Sequence, residues 1–79
     1  MRKIQILGTG CAKFRQLAEN AEKAVKEMEG GFEVEKITDA GRITEFGVLV
    51  TPALALDGML LVSGKVLSAM EIKKIISKY

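Results

Sequence analysis

One cysteine, Cys11, stands in the stretch Gly8-Thr9-Gly10-Cys11-Ala12-Lys13-Phe14, and the 79-residue chain contains no histidine. A thiol so placed is suited to one kind of chemistry. As thiolate it attacks a disulfide sulfur to form a mixed disulfide, which a second thiolate then releases. The glycines before Cys11 suit an exposed loop, and a helical pattern begins just after it. Unpaired amides and the dipole at a helix start favour the thiolate over the thiol. Lys13 and Arg15 add positive charge nearby. A free cysteine also packs readily as a small hydrophobe. Cys11, however, precedes the apolar stripe rather than joining it, so an accessible, reactive thiol is expected.

Other chemistries fail on their residues. Without histidine there is no cysteine–histidine pair for hydrolysis, and a single cysteine cannot build an ordinary zinc site. Gly8-x-Gly10 places Lys13 where a dinucleotide fingerprint needs its third glycine. No Gly-Lys-Ser/Thr element is present for a nucleotide phosphate loop. Glu33 and Glu35 share one face of a strand pattern and read as solvent contacts. No metal and no cofactor are expected.

The elements that position Cys11 follow from periodicity. Ile4-Gln5-Ile6-Leu7 is a short β-branched run closed by Gly8-Thr9-Gly10, a strand pattern. Phe14, Leu17, Ala18, Ala21, Ala24, Val25 and Met28 then recur at spacings of three and four, the apolar face of a helix. Gly30-Gly31 is expected to end that helix. Phe32 to Ile37 alternates as a second strand, and strand–helix–strand makes a right-handed parallel unit. Asp39 to Phe46 reads as a short capped helix with Ile43 and Phe46 inward. Asp57-Gly58 between Ala53-Leu54-Ala55-Leu56 and Met59-Leu60-Leu61-Val62 is a two-residue hairpin signal, with Ser63-Gly64 breaking the pairing. Ser68 and Glu71 form a capping box for a last helix with Ile72, Ile75, Ile76 and Tyr79 on one face. The order is β-α-β-α-β-β-α: a three-layer α/β/α arrangement on a four-stranded mixed sheet. Residues 1–79 are read as one domain.

Composition agrees. At 48% hydrophobic and 28% charged residues the chain can build a core and a soluble surface. A net charge of +2, with acids interleaved among the lysines, argues against nucleic acid. No apolar run approaches the ~18 residues of a membrane span. Neither a nucleic-acid nor a membrane partner is expected, and an unpaired cysteine suits the reducing cytoplasm.

Taken together, Ile4-Gln5-Ile6-Leu7-Gly8-Thr9-Gly10-Cys11-Ala12-Lys13, Thr51-Pro52-Ala53-Leu54, Asp57-Gly58, Val62-Ser63-Gly64 and Glu71-Ile72-Lys73-Lys74 resemble the small thioredoxin-like proteins called redox-active disulfide protein 2. The resemblance implies a thioredoxin-like fold. It also implies a catalytic Cys11 supported by Gly10, Ala12 and Lys13. The Thr51–Pro52 bond would be cis and face Cys11, with Thr51 pairing a partner's extended chain. The sequence departs from that pattern at one position: the family carries Cys-x-x-Cys, and Phe14 stands where the resolving thiol would be. Phe14 also continues the inward stripe, so its default role is core packing. The function expected is monothiol exchange through Cys11 with a protein or small-molecule thiol or disulfide. The alternative is a redox-inactive module that docks a peptide or protein beside Thr51-Pro52. A monomer is expected, with a Cys11-linked homodimer on oxidation.

Overall fold

Strand β1 (Arg2–Leu7) is the structural centre, lying between β2 (Phe32–Ile37), to which it runs parallel, and β3 (Ala53–Leu56), to which it is antiparallel. The computed structural model describes residues 2–28 and 30–79. Strand β4 (Met59–Ser63) pairs antiparallel with β3, giving the sheet order β2-β1-β3-β4. The mixed four-stranded sheet and the β-α-β-α-β-β-α order are as the sequence predicts.

Side chains alternate across such a sheet, and each face has its own cover. Ile4 and Ile6 of β1 and Leu54 and Leu56 of β3 pack on the side of helices α1 (Ala12–Glu27) and α3 (Ala69–Ile76). Leu7, Ile37, Ala53 and Ala55 face the other way, with Ile43 of the short helix α2 (Ala40–Glu45) and Val48 after it. Burying each Leu or Ile contributes about 1.5–3 kcal/mol. Continuous burial from Ile4 to Leu7 therefore reflects cover on both faces.

The helices begin where their caps direct. The Asp39 side chain accepts the Arg42 N–H at the start of α2, and Ser68 and Glu71 form a reciprocal capping box at α3. Lys73 of α3 bonds Glu27 of α1, and the Asn20 amide donates to the Leu67 carbonyl at 2.8 Å, holding the two helices together.

Three expectations are corrected. Helix α1 stops at Glu27, where the Met28 N–H bonds the Ala24 and Val25 carbonyls. Gly30-Gly31 therefore forms the return turn into β2 rather than the helix end, with Gly31 at φ 69°. Ser63 still pairs with Ala53, so the hairpin outlasts its predicted break. Tyr79 lies beyond α3 and is exposed, because the helix ends at Ile76 before its spacing reaches the core.

The hairpin turn is tied to the start of β1. Asp57 and Gly58 both take positive φ, 49° and 86°, as the turn requires. The Asp57 carboxylate accepts the Lys3 N–H and the Arg2 Nε–H, each at 2.8 Å, while its own N–H donates to the Lys3 carbonyl. The Lys3 amide, and then Arg2, hold the Asp57 carboxyl below its ordinary range. A carboxyl with a lowered folded-state pKa adds stability above about pH 4, and that stability is lost as pH falls through the folded value. Asp57→Asn keeps a residue suited to positive φ and removes the charge. The variant is expected to melt below the native protein at pH 7, with the gap closing toward pH 2. A gap that stayed constant with pH in thermal melts would show the carboxylate to be irrelevant.

Candidate functional site

The end of β1 opposite the Asp57 clamp carries the candidate chemistry. After Leu7 the chain leaves the sheet through Gly8-Thr9-Gly10. The Gly8 N–H still bonds the Ile37 carbonyl at 3.0 Å, and Gly10 turns at φ 88°. That turn presents Cys11 at the N-cap of α1 in an extended conformation (φ −71°, ψ 172°). Its carbonyl accepts the first helical bond, from the Arg15 N–H at 3.1 Å. Its side chain caps nothing and is exposed, so the sulfur is not engaged in holding the helix.

The charge around Cys11 is positive on its own helix. The first turn of α1 has no acid, and Lys13 and Arg15 are exposed without an ion pair among the described residues. Ala12 is exposed as well. No group of three potential metal-ligating side chains occurs among the described residues. No helix among them is long and apolar enough to cross a membrane.

Phe14 is 4% exposed and packs in the core with Leu17, Leu54 and Leu67. Its ring also explains Gly8, whose place in the sequence marks it only as part of a glycine loop. A Cβ on Gly8 would lie 2.6 Å from Phe14 Cδ1 and 3.2 Å from its Cβ. Gly8 is needed for close approach, and no local pattern signals this because the contact spans the loop.

The loop that leads into β3 shares this end of the sheet. Leu7 pairs with Ala53, so the residues before β3 lie at the same end of the sheet as the loop leading to Cys11. There the Thr51–Pro52 peptide bond is cis, as the resemblance implied, and Pro52 is buried. The Pro52 carbonyl accepts the Gly64 N–H at 2.8 Å. Thr51 is exposed, and its N–H and carbonyl have no hydrogen-bond partner among the described residues. Beside it Leu49 is 98% exposed, while Val50 closes over Gly64, with Cγ1 2.9 Å from where a Cβ would stand.

Elsewhere the acids need one correction. Glu33 is exposed, as expected. Glu35 is half-buried, 3.4 Å from the Gln5 amide and 3.8 Å from the Arg42 guanidinium. Gln5 is itself only 7% exposed, and it accepts the Gly58 N–H at 2.9 Å. This polar chain lies away from the Cys11 end and serves the sheet.

A mixed sheet flanked by helices, with a cysteine at the first helix N-cap and a cis-proline before the hairpin, defines the thioredoxin-like class of α/β domain. Solved structures carry the same fold. Thioredoxin-2, a component of malaria parasite protein secretion machinery, superposes with a TM-score of 0.78 over 100% of this chain and 84% of its own, at 14% identity. A second malarial protein gives 0.76 over 99% and 96%, also at 14% identity.

The thioredoxin domain family matches residues 2–77, and the chain belongs to that family. It is 51% identical over 77 residues to a thioredoxin of Methanothermobacter thermautotrophicus, covering 98% of this chain and all of that one. It is 43% identical over 76 residues to a thioredoxin of Methanocaldococcus jannaschii, covering 96% and 87%.

Gly8→Ala forces the Phe14 ring or the loop to move. Overpacking of this kind costs about 1–3 kcal/mol. Urea unfolding is expected to show that loss, whereas Gly31→Ala, which meets no atom within 4 Å, should suffer only from its φ. A Gly8→Ala variant as stable as the native protein would overturn the close-approach role.

Proposed function

We propose that this protein is a thiol–disulfide exchange protein that works through Cys11 alone. The observation that carries the reading is an exposed cysteine at the N-cap of α1 whose side chain makes no capping bond. Membership of the thioredoxin domain family supports it. Gly10 sets the turn into the cysteine, and Ala12 leaves it uncrowded. Lys13 supplies positive charge, and Phe14 holds the position of the absent resolving thiol.

The exchange balances in two steps. The Cys11 thiolate attacks one sulfur of a partner disulfide; a Cys11–partner disulfide forms and the partner's other sulfur leaves as thiolate. An external thiolate then attacks the partner sulfur of that mixed disulfide, and the Cys11 thiolate is released. No second thiol of this chain is available to resolve the adduct, since Cys11 is its only cysteine. The partner is a protein or a small-molecule thiol or disulfide. A reducing compartment such as the cytoplasm, which keeps an unpaired thiol reduced, is the setting this reading implies. The chain acts as a monomer and forms a Cys11-linked dimer when oxidised.

Thr51 has a place in the same reading. Its unpaired backbone groups next to cis Pro52 suit strand-like pairing with a partner's extended chain. That feature also favours the second reading, a docking module without redox chemistry. Partner capture that survives Cys11→Ser would support docking, and capture lost with the thiol would support exchange.

Iodoacetamide alkylation tests the thiol directly, because only one site reacts. A helix N-terminus is worth about 0.3–1 kcal/mol to a nearby anion, such as the charge on an attacking sulfur, a factor of roughly 2 to 5. Native Cys11 is expected to react at pH 7 faster than the urea-unfolded chain by about that factor. Reaction released only on unfolding would replace exchange with a buried structural cysteine. Phe14→Cys places a second thiol one helical turn from the first. It is expected to yield an internal disulfide under oxidation and to raise dithiol reductase activity, at a loss of roughly 3 kcal/mol or more of core packing. A folded Phe14→Cys variant that never interconverts between oxidised and reduced forms would sink the proposed site geometry.

A further inference from the structure

We infer that Phe14 is a positioning residue for Cys11, acting through Gly8 rather than by touching the reacting sulfur. The inference rests on the exchange reading above and adds a residue pair to it. The loop from Gly8 to Cys11 has few restraints. Thr9 and Gly10 are exposed, no atom lies within 4 Å of where a Gly10 Cβ would be, and the Cys11 side chain is unbonded. Two interactions fix the loop at its base: the Gly8 N–H bond to Ile37 on one side, and the Phe14 ring against Gly8 on the other.

That ring belongs to two structures at once. It is 4% exposed and shares its cluster with Leu17, Leu54 and Leu67, so its place is set by the core. It also sits three residues past Cys11 on α1, so it transmits the core's position to the loop just before the cysteine. With the ring removed, Gly8 loses its apolar support. The glycine-bounded loop is then held at its base by the Gly8–Ile37 bond alone. Cys11, which follows that loop, is then held less firmly at the start of α1. A Cβ on Gly8 produces the same loss from the opposite direction, by pushing the ring off its seat.

The consequence is a specific pattern in Cys11 reactivity. Phe14→Ala and Gly8→Ala should each lower the native alkylation rate at pH 7 toward that of the unfolded chain, a fall of about 2- to 5-fold if the helix terminus is the source of the advantage. Phe14→Leu, which keeps a large apolar group on Gly8, should restore most of the native rate. Because both changes act on one contact, the double variant should fall no further than either single one. Leu56→Ala, at the other end of β3 in the same cluster, provides the control. It should lower stability comparably while leaving Cys11 reactivity at the native value.

The experiment is alkylation by iodoacetamide across pH 6–9 on each variant, with urea melts to confirm that the folded fraction is being read. Phe14→Leu and Gly8→Ala keep the test decisive even where Phe14→Ala fails to fold. A native-like rate in folded Gly8→Ala, a Phe14→Leu rate as low as that of Gly8→Ala, or additive losses in the double variant would overturn the positioning role. Equal losses in Leu56→Ala would do so as well, by showing general loosening. Failure of the exchange reading looks different: native Cys11 itself would react no faster than the unfolded chain.

Discussion

A strand bonded along both edges and covered on both faces has only its two ends left for solvent. β1 is in that position, with β2 and β3 on its edges, α1 and α3 over Ile4 and Ile6, and the α2 region over Leu7. Its backbone groups are committed to the ladders, and buried groups left without partners would be costly. What β1 presents to solvent is therefore delivered at an end. The N-terminal end is closed by the Asp57 carboxylate on Lys3 and Arg2. The C-terminal end is left open, and there the chain passes through Gly8 and Gly10 to Cys11.

Glycine serves these ends for different physical reasons. Gly58 and Gly10 take positive φ, which side-chain-bearing residues rarely adopt. Gly8 has no such requirement and is constrained by space, since the Phe14 ring occupies the room a Cβ would need. The first kind permits a turn; the second couples a loop to a core. The open end of β1 thus combines an exposed sulfur with a base held from below, and the cis Thr51–Pro52 segment borders it through the Leu7–Ala53 pairing.

Much of this arrangement was legible in the residues, for reasons that are local. The spacing of Phe14, Leu17, Ala18, Ala21 and Ala24 placed α1 and its buried face. Asp57-Gly58 placed the hairpin, and Ser68 with Glu71 placed the start of α3, because caps and tight turns are decided by neighbours in sequence. Cys11 at the N-cap followed from the same logic. What escaped was non-local. Tyr79 kept the helical spacing but lay past the point where α3 ends. Gln5 and Glu35 were polar residues whose partners come from β3–β4 and α2, and Gly8 required a ring supplied from the far side of a loop.

Phe14 is where the chemistry and the stability of so short a chain meet. Domains have roughly 0.05–0.15 kcal/mol of stability per residue, so a chain of 79 residues has about 4–12 kcal/mol in all. Removing a buried phenylalanine ring typically costs about 3–5 kcal/mol, a large part of that total. A thiol at the same position would leave most of that volume unfilled, and Gly8 would lose the group that justifies its missing side chain. Under the exchange proposed for Cys11, the ring in this place leaves release of an adduct to a thiol from outside. A one-thiol site and a well-filled core below it are then two results of the same side chain, and exchanging it for cysteine trades packing for an internal route of release.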